Sequence, residues 1–170
     1  MEAGHLVLVG MMGSGKSAVG RVLSSRLDRP LFDSDEQIEE RSDRTIREIW
    51  DTDGEDAFRI LETQVLTDNL ARVESSVIST GGGVVVREEN RRILVESEAH
   101  VVWLKSSIEM LIERVRNGVH RPLLDDDPEA KLRQIWLDRE SLYRGVADAI
   151  VSVDNRSVLD VAKAVERCCA

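Results

Sequence analysis

The feature that most restricts the fold of this sequence is the segment from Gly10 to Ser17, which fits the pattern G-x-x-x-x-G-K-[ST]. An apolar strand pattern at 5–9 precedes it, and a helical pattern at 16–27 follows it. In that context glycines let backbone N–H groups turn inward around a phosphate chain, and the helix N-terminus adds partial positive charge. A chance match in a chain of this length is on the order of one in a hundred. The segment therefore predicts a phosphate-binding loop rather than a plain glycine-rich turn.

The residue types in this loop suggest individual roles in binding ATP with Mg²⁺. Lys16 is placed to bridge the β- and γ-phosphates, and the Ser17 hydroxyl is placed to hold the metal ion. Because backbone dipoles and one lysine supply a positive local field, a chain with a negative net charge can still bind an anion here. The other ATP-binding residues predicted in this segment are Gly13, Ser14, Gly15 and Ala18.

Length and charge argue against several classes of protein. The chain has 170 residues, which fits a single domain over 1–170. Its 23 basic and 32 acidic residues give a net charge of −9, unlike a nucleic-acid-binding protein. No apolar run approaches the roughly 18 residues of a membrane span, and residues 1–9 lack a signal-peptide pattern.

The two cysteines, Cys168 and Cys169, are adjacent, which favours a reducing, cytoplasmic compartment. We also expect a monomer whose partners are small molecules.

Short apolar segments alternate with longer amphipathic ones, which predicts an α/β fold. Buried strands separated by helices indicate a five-stranded parallel sheet flanked by helices. Right-handed crossovers bring the carboxyl ends of the strands to one edge, where ligands bind. The strands are predicted at 5–9, 31–33, 76–79, 100–104 and 149–153, and the helices at 16–27, 35–41, 45–50, 53–71, 87–95, 107–116, 129–144 and from 157 onward. The predicted helix caps include Thr45, Asp53, Ser106 and Ser157.

Two further segments follow predicted strands at the edge that carries the phosphate loop. Asp33 and Asp35 are two residues apart, so one carboxylate can hold a metal's water shell while the other accepts a hydrogen bond from a substrate hydroxyl. The alternative for Asp35 is a helix cap. Three consecutive glycines, Gly81, Gly82 and Gly83, are entropically costly, and close approach of the backbone to a ligand would justify that cost. A bare hinge is the alternative.

Arg139 is the residue that says most about the substrate. Its spacing places it on the apolar face of a predicted helix. An unpaired buried guanidinium is costly, so this side chain needs an anion. A ligand carboxylate or phosphate is one such anion, and a protein Asp or Glu is the alternative. The apolar residues on the same face are Leu132, Ile135, Trp136, Leu142 and Tyr143.

Other basic residues have less specific patterns. Arg59 has Glu55 and Glu62 within helical reach, so an exposed ion pair is its default interpretation. Basic residues flank a polar, irregular segment, which predicts a mobile lid over 114–130. A solvated surface loop is the alternative for that segment. No cluster of His, Cys or carboxylate residues has the spacing of a zinc site.

The ordered set of motifs resembles that of the shikimate kinase family, a nucleoside-monophosphate-kinase-like group with the P-loop kinase fold. The likeness covers nearly the whole chain and implies a small helical substrate-binding insertion at 34–62 and a mobile lid. It further implies ATP-dependent phosphorylation of the 3-hydroxyl of shikimate. The motifs are the phosphate loop, Asp33-Ser-Asp35, Phe58-Arg59-x-x-Glu62, the triple glycine, Arg121-Pro-Leu-Leu and Arg139-x-x-Leu-Tyr-Arg144.

For the acceptor substrate, the resemblance implies a set of direct contacts. Asp35 would contact the ring hydroxyls and orient the attacking one. Arg59, oriented by Glu62, and Arg139 would hold the carboxylate. The glycines at 81–83 would line the substrate.

For the nucleotide, the resemblance implies a second set. Asp33 would belong to the Mg²⁺ shell, and Arg121 of the lid would reach the phosphates and act with Lys16 in catalysis. Arg114 would lie against the adenine, and Arg156 is a further candidate for stacking on the base.

Two alternatives stay open from the residues alone. Another small-molecule kinase of the same architecture, such as a gluconate kinase, also binds a carboxylate and hydroxyls. A non-catalytic nucleotide-binding domain would keep the phosphate loop without needing an inward Arg139 or the carboxylate pair at 33–35.

Overall fold

Five parallel strands form the centre of the computed structural model, which describes residues 4–116 and 127–169. The strands are β1 (Leu6–Val9), β2 (Leu31–Asp33), β3 (Val77–Ser79), β4 (His100–Lys105) and β5 (Ala149–Ser152), so each predicted strand is confirmed to within one or two residues. Their order in the sheet is β2-β3-β1-β4-β5, and all four neighbouring pairs are parallel.

Helices cover both faces of the sheet because side chains alternate along each buried strand. The helices are α1 (Lys16–Leu27), α2 (Ser34–Ser42), α3 (Ile46–Leu70), α4 (Glu88–Glu96), α5 (Ile108–Arg116), α6 (Pro128–Val146) and α7 (Val158–Cys168). Val7 and Val9 face a core with α3, α4, α5 and α6, whereas Leu6 and Leu8 face a core with α1 and α7.

The segment between β2 and β3 has a small core of its own. Ile38 of α2 packs there with Ile49, Phe58 and Val65 of α3. The two helices predicted at 45–50 and 53–71 are the two segments of α3, which meet at a kink at Gly54, where the backbone is not helical (φ 85°, ψ 174°). This arrangement places α2 and the first half of α3 as a helical insertion beside the carboxyl edge of the sheet.

The helix caps confirm one predicted residue and correct another. The capping box of Thr45 and Glu48 is confirmed. The Asp53 carboxylate, predicted to cap the second segment of α3, lies 2.8 Å from Arg44 just before the break at Gly54. The Ser107 hydroxyl, rather than that of Ser106, accepts the hydrogen bond from the N–H of Met110. Local propensity places each helix start within one turn, and tertiary contacts select the capping residue.

Within 4–116 and 127–169, no helix has the length and apolar character needed to cross a membrane. Both cysteines are free thiols, with Cys168 exposed and Cys169 half-buried.

Candidate active site

The phosphate loop lies between β1 and α1, and its glycines adopt backbone conformations that other residues rarely adopt. Gly13 has φ 80° and Gly15 has φ 92°, in the left-handed region. The Lys16 ammonium folds back over the loop and donates to the carbonyls of Gly10 (2.7 Å) and Met11 (2.9 Å). The loop thus forms a backbone cradle with a lysine held across it at the N-terminus of α1.

Asp33, the last residue of β2, contacts this cradle through a short hydrogen bond. The Ser17 hydroxyl donates to Asp33 Oδ2 over 2.6 Å, and the other carboxylate oxygen caps α2 by accepting from the N–H of Asp35 (3.1 Å). Asp33, and not Asp35, is therefore the helix cap. The Asp35 side chain lines the cleft.

An open cleft of about 270 Å³ connects the phosphate loop with the predicted acceptor-substrate residues. Because β1, β2 and β3 are neighbours, their carboxyl ends converge here, as expected for a parallel sheet. The cleft is lined by Met12, Gly13, Gly15, Lys16, Ser17, Ala18, Asp33, Asp35, Thr80 and Gly82. Of the loop residues predicted to bind ATP, Ser14 alone does not line this cleft, because its side chain is buried.

The three consecutive glycines after β3 are required by close packing. A Cβ atom on Gly81 would lie 2.8 Å from carboxylate oxygens of both Asp35 and Glu62. One on Gly82 would lie 2.9 Å from the backbone nitrogen of Met12, and one on Gly83 would overlap the Arg59 guanidinium. The glycine segment therefore brings the insertion, the phosphate loop and a cationic side chain into contact, and it is not a bare hinge.

Arg59 is buried, so its default interpretation as an exposed ion pair is wrong. The residue is only 5% exposed, and its guanidinium lies 2.8 Å from the buried Glu62 and 3.1 Å from the half-exposed Glu55. The rings of Trp50 and Phe58 flank it, with centroids 5.7 Å and 5.2 Å from Cζ. These contacts hold the cation against the glycine segment.

Arg139 is buried on α6, as its spacing predicted, and is 8% exposed. Its Nη1 donates to the carbonyl of Gly82 over 3.1 Å. Across residues 4–116 and 127–169, no carboxylate oxygen lies within 4.0 Å of its guanidinium. The described protein thus gives this cation a neutral carbonyl partner, and the alternative of a paired protein carboxylate is not found there.

Glu62 is the acidic counterpart of the two arginines. Burial raises the pKa of this carboxyl, while the positive charges and hydrogen bond of Arg59 and the charge of Arg139 act in the opposite direction. Its Oε2 accepts from Arg59, whereas its Oε1 is buried with no hydrogen-bond partner among the described residues. Arg59 is thus neutralised by protein carboxylates, whereas Arg139 has none within 4.0 Å among the described residues and is the cation that favours an anionic ligand.

The remaining predicted ATP-binding residues are basic. Arg114 donates from Nη1 to the carbonyl of Gly13 over 2.6 Å, which places it on the outside of the phosphate loop. Arg156 follows β5 and donates to the carbonyl of Ser152, and it does not line the cleft. Arg121 and most of the lid predicted at 114–130 lie outside the described residues, so their roles stay predictions.

The sequence did not indicate a role at this site for Met12, Thr80 or Tyr143. Met12 and Thr80 line the cleft, and the Thr80 hydroxyl is fixed by donating to the carbonyl of Leu8 over 2.8 Å. Tyr143 lies behind the glycine segment, where its hydroxyl donates to the carbonyl of Gly82. The signal for Tyr143 was present in the sequence, because it follows Arg139 by four residues on the same helix face.

Comparison with known proteins agrees with this geometry. The family model described as shikimate kinase matches residues 12–169. A shikimate kinase from Chromobacterium violaceum is 42% identical over 157 residues, which cover 92% of this chain and 84% of that protein. The structure of shikimate kinase from Acinetobacter baumannii in complex with shikimate is 36% identical with a TM-score of 0.92, covering 98% of this chain and 92% of that one. A gluconokinase from Sinorhizobium meliloti, 20% identical with a TM-score of 0.59 over 98% of this chain and 91% of its own, shares the fold alone.

Proposed function

The chain belongs to the shikimate kinase family, and from that premise we propose how its own residues bind and join the two substrates. The protein is a shikimate kinase, which transfers a phosphoryl group from ATP to shikimate. The proposed acceptor is the 3-hydroxyl, which gives shikimate 3-phosphate and ADP. That the protein is a cytoplasmic monomer that binds no nucleic acid stays a prediction from the sequence.

The observation that carries the proposed substrate site is the buried Arg139 guanidinium, whose described partner is a carbonyl and not a carboxylate. A second buried guanidinium, that of Arg59, lies against the adjacent glycine, Gly83. A carboxylate bound over Gly82 and Gly83 would meet N–H donors of both arginines. Charge-assisted hydrogen bonds of this kind are short and directional, so they would fix the orientation of the ring that carries the carboxylate.

Phosphoryl transfer depends mainly on positioning and charge neutralisation. The Asp35 carboxylate lines the cleft between the glycine segment and the phosphate loop, where it would accept the hydrogen bond of the attacking hydroxyl and take its proton. Lys16 would exchange its two carbonyl contacts for phosphate oxygens and stabilise charge on the transferred group. In this scheme the two substrates approach from opposite sides of Gly82.

The oxygen donors beside the phosphate loop fit a Mg²⁺ ion. Ser17 Oγ and Asp33 Oδ2 are 2.6 Å apart, and hard oxygen donors are what this ion prefers. No group of three His, Cys or carboxylate side chains arranged for a metal occurs among the described residues, which suits an ion held largely by waters and phosphates. When bound, the ion offsets the negative charge of the phosphate oxygens. We propose that Ser17 binds it directly and that Asp33 holds its water shell.

An ADP-release assay with shikimate and gluconate side by side tests the proposed activity. We expect ADP release that depends on shikimate, and only background release with gluconate. Release with gluconate alone would support a different small-molecule kinase. ATP binding without turnover on either acid would support a non-catalytic nucleotide-binding domain.

The Arg139→Ala variant tests the proposed carboxylate site within the same assay. We expect KM for shikimate to rise on the order of 10²-fold, as for loss of one partner in a buried charged contact, with KM for ATP little changed. The matched control is Arg26→Ala, because Arg26 is a half-exposed arginine on α1 whose partner is Glu166. Equal changes in both KM values would remove Arg139 from the shikimate site.

A further inference from the structure

Tyr143 and Arg139 share one hydrogen-bond acceptor, the carbonyl oxygen of Gly82. Arg139 donates to this oxygen from Nη1 over 3.1 Å, and the Tyr143 hydroxyl donates to it in a short contact. A carbonyl oxygen has two lone pairs, so these two donors use its full accepting capacity. The Gly82 carbonyl is thereby the structural link between the two side chains.

The hydroxyl of Tyr143 is a fixed, neutral donor. The residue is 1% exposed, and burial raises its pKa to about 12, so the proton stays on the phenol at physiological pH. Its ring stacks on Trp103 of β4, with centroids 5.7 Å apart and planes inclined by 22°. The phenol therefore points at Gly82 from a rigid support in the core of the sheet.

The Gly82 peptide is held from its other side by the phosphate loop. A Cβ atom there would lie 2.9 Å from the backbone nitrogen of Met12, so the backbone of Gly82 packs closely against the loop. The Tyr143 hydroxyl and the loop together fix where the Gly82 carbonyl points. The guanidinium of Arg139 donates to that carbonyl, and a side-chain hydrogen bond also couples it to the Tyr143 hydroxyl, so both groups set its orientation.

We propose that Tyr143 is a positioning residue for the acceptor substrate: by fixing the Gly82 carbonyl, it sets the orientation of the Arg139 guanidinium and hence the affinity for the shikimate carboxylate. This inference rests on the proposed function of Arg139. Tyr143 does not touch the substrate in this scheme. Its effect should therefore appear in shikimate binding and should depend on Arg139.

The Tyr143→Phe variant removes the hydroxyl and keeps the ring. We expect KM for shikimate to rise about tenfold, with KM for ATP and kcat within about twofold, from the loss of one buried hydrogen bond. Thr67→Val is the matched control, since Thr67 Oγ1 also donates to a carbonyl, that of Thr63, away from the cleft. A change of similar size in both KM values, or none in that for shikimate, would overturn the proposal.

The double variant with Arg139→Ala separates positioning from a general structural role. If Tyr143 acts through Arg139, adding Tyr143→Phe to Arg139→Ala should change KM for shikimate by less than about twofold. A further tenfold rise would overturn the proposal. If Arg139→Ala alone leaves KM for shikimate unchanged, the carboxylate site itself is wrong. If Arg139→Ala raises KM for shikimate but Tyr143→Phe does not, the carboxylate site stands and only the positioning role of Tyr143 is refuted.

A spectroscopic signature gives a second readout that does not require the hydroxyl to be removed. Tyr143 is the only tyrosine in the chain, so uniform 3-fluorotyrosine labelling places one fluorine probe at this site. We expect shikimate to shift its ¹⁹F resonance in the otherwise unchanged enzyme and to shift it little in Arg139→Ala at saturating shikimate. An equal shift in both proteins would contradict coupling between Tyr143 and Arg139.

Discussion

The two halves of the cleft bind anions in different ways. The phosphate loop is one continuous segment, 10–17, whose backbone N–H groups, helix N-terminus and Lys16 supply the positive field. The carboxylate site takes Arg59 from α3, Arg139 from α6 and the glycine segment from the end of β3. One half therefore depends on local backbone conformation, and the other depends on the packing of distant elements.

This difference decides what each half tolerates. In the loop, the requirements are positive φ at Gly13 and Gly15 and the charge of Lys16. In the carboxylate site, two cations stay buried because Glu62, aromatic rings and one carbonyl surround them. Changes to the loop should impair phosphate transfer for any acceptor, whereas changes to the carboxylate site should impair shikimate selectively.

Lys16→Met should have the largest effect, because it removes the charge of the phosphate half. We expect kcat to fall by ~10²–10³, as for loss of one preorganised donor to a transition state, with KM for shikimate nearly unchanged. Lys163→Met, at an exposed position on α7, is the control. A large rise in KM for shikimate would show that the halves are not separable in this way.

Gly83→Ala tests the packing half without removing a charge. Its new Cβ would overlap the Arg59 guanidinium, so we expect kcat/KM for shikimate to fall by roughly 10- to 100-fold, as for a small displacement of a binding group. Gly145→Ala on α6 meets no atom within 4 Å and should leave the kinetics unchanged. It should stabilise the protein by about 0.5–1 kcal/mol, which thermal unfolding would measure. Normal kinetics in Gly83→Ala would mean that Arg59 can move without cost.

The smallest expected effect is a pH dependence due to Glu62. Burial raises the pKa of this carboxyl, so falling pH protonates it earlier than an ordinary glutamate and removes the charge that orients Arg59. We expect kcat/KM for shikimate to decline at acidic pH through that raised pKa, and Glu62→Gln to lack this decline. The sign for stability is opposite, because the raised pKa makes the free energy of unfolding fall as pH rises through it. If kcat/KM for shikimate still declines at acidic pH in Glu62→Gln, a group other than Glu62 causes the decline.

Sequence reasoning succeeded where the determinants are local or periodic. The phosphate loop follows from eight adjacent residues, and the inward position of Arg139 follows from its place on an apolar helix face. Strand positions follow from short apolar runs, because parallel strands are buried on both faces. In each case one segment contains the whole signal.

The failures came where tertiary packing decides. The burial of Arg59 could not be inferred from its helical neighbours alone, because it depends on Gly83 and on the ring of Trp50 beyond the kink at Gly54. Asp33 and Asp35 are the same residue type, so the sequence alone does not tell which one caps the helix. Only the structure assigns the cap to Asp33 and leaves Asp35 in the cleft.

The most direct test of the carboxylate site compares shikimate with its carboxamide, which keeps the ring and hydroxyls but removes the charge. The measured quantity is the ratio of kcat/KM for the two acceptors in the unchanged enzyme and in Arg139→Ala. We expect the unchanged enzyme to prefer shikimate by on the order of 10²-fold and the variant to lose most of that preference. If Arg139→Ala keeps the full preference for the carboxylate, then Arg139 does not bind it, and the substrate assignment of this half of the cleft is wrong.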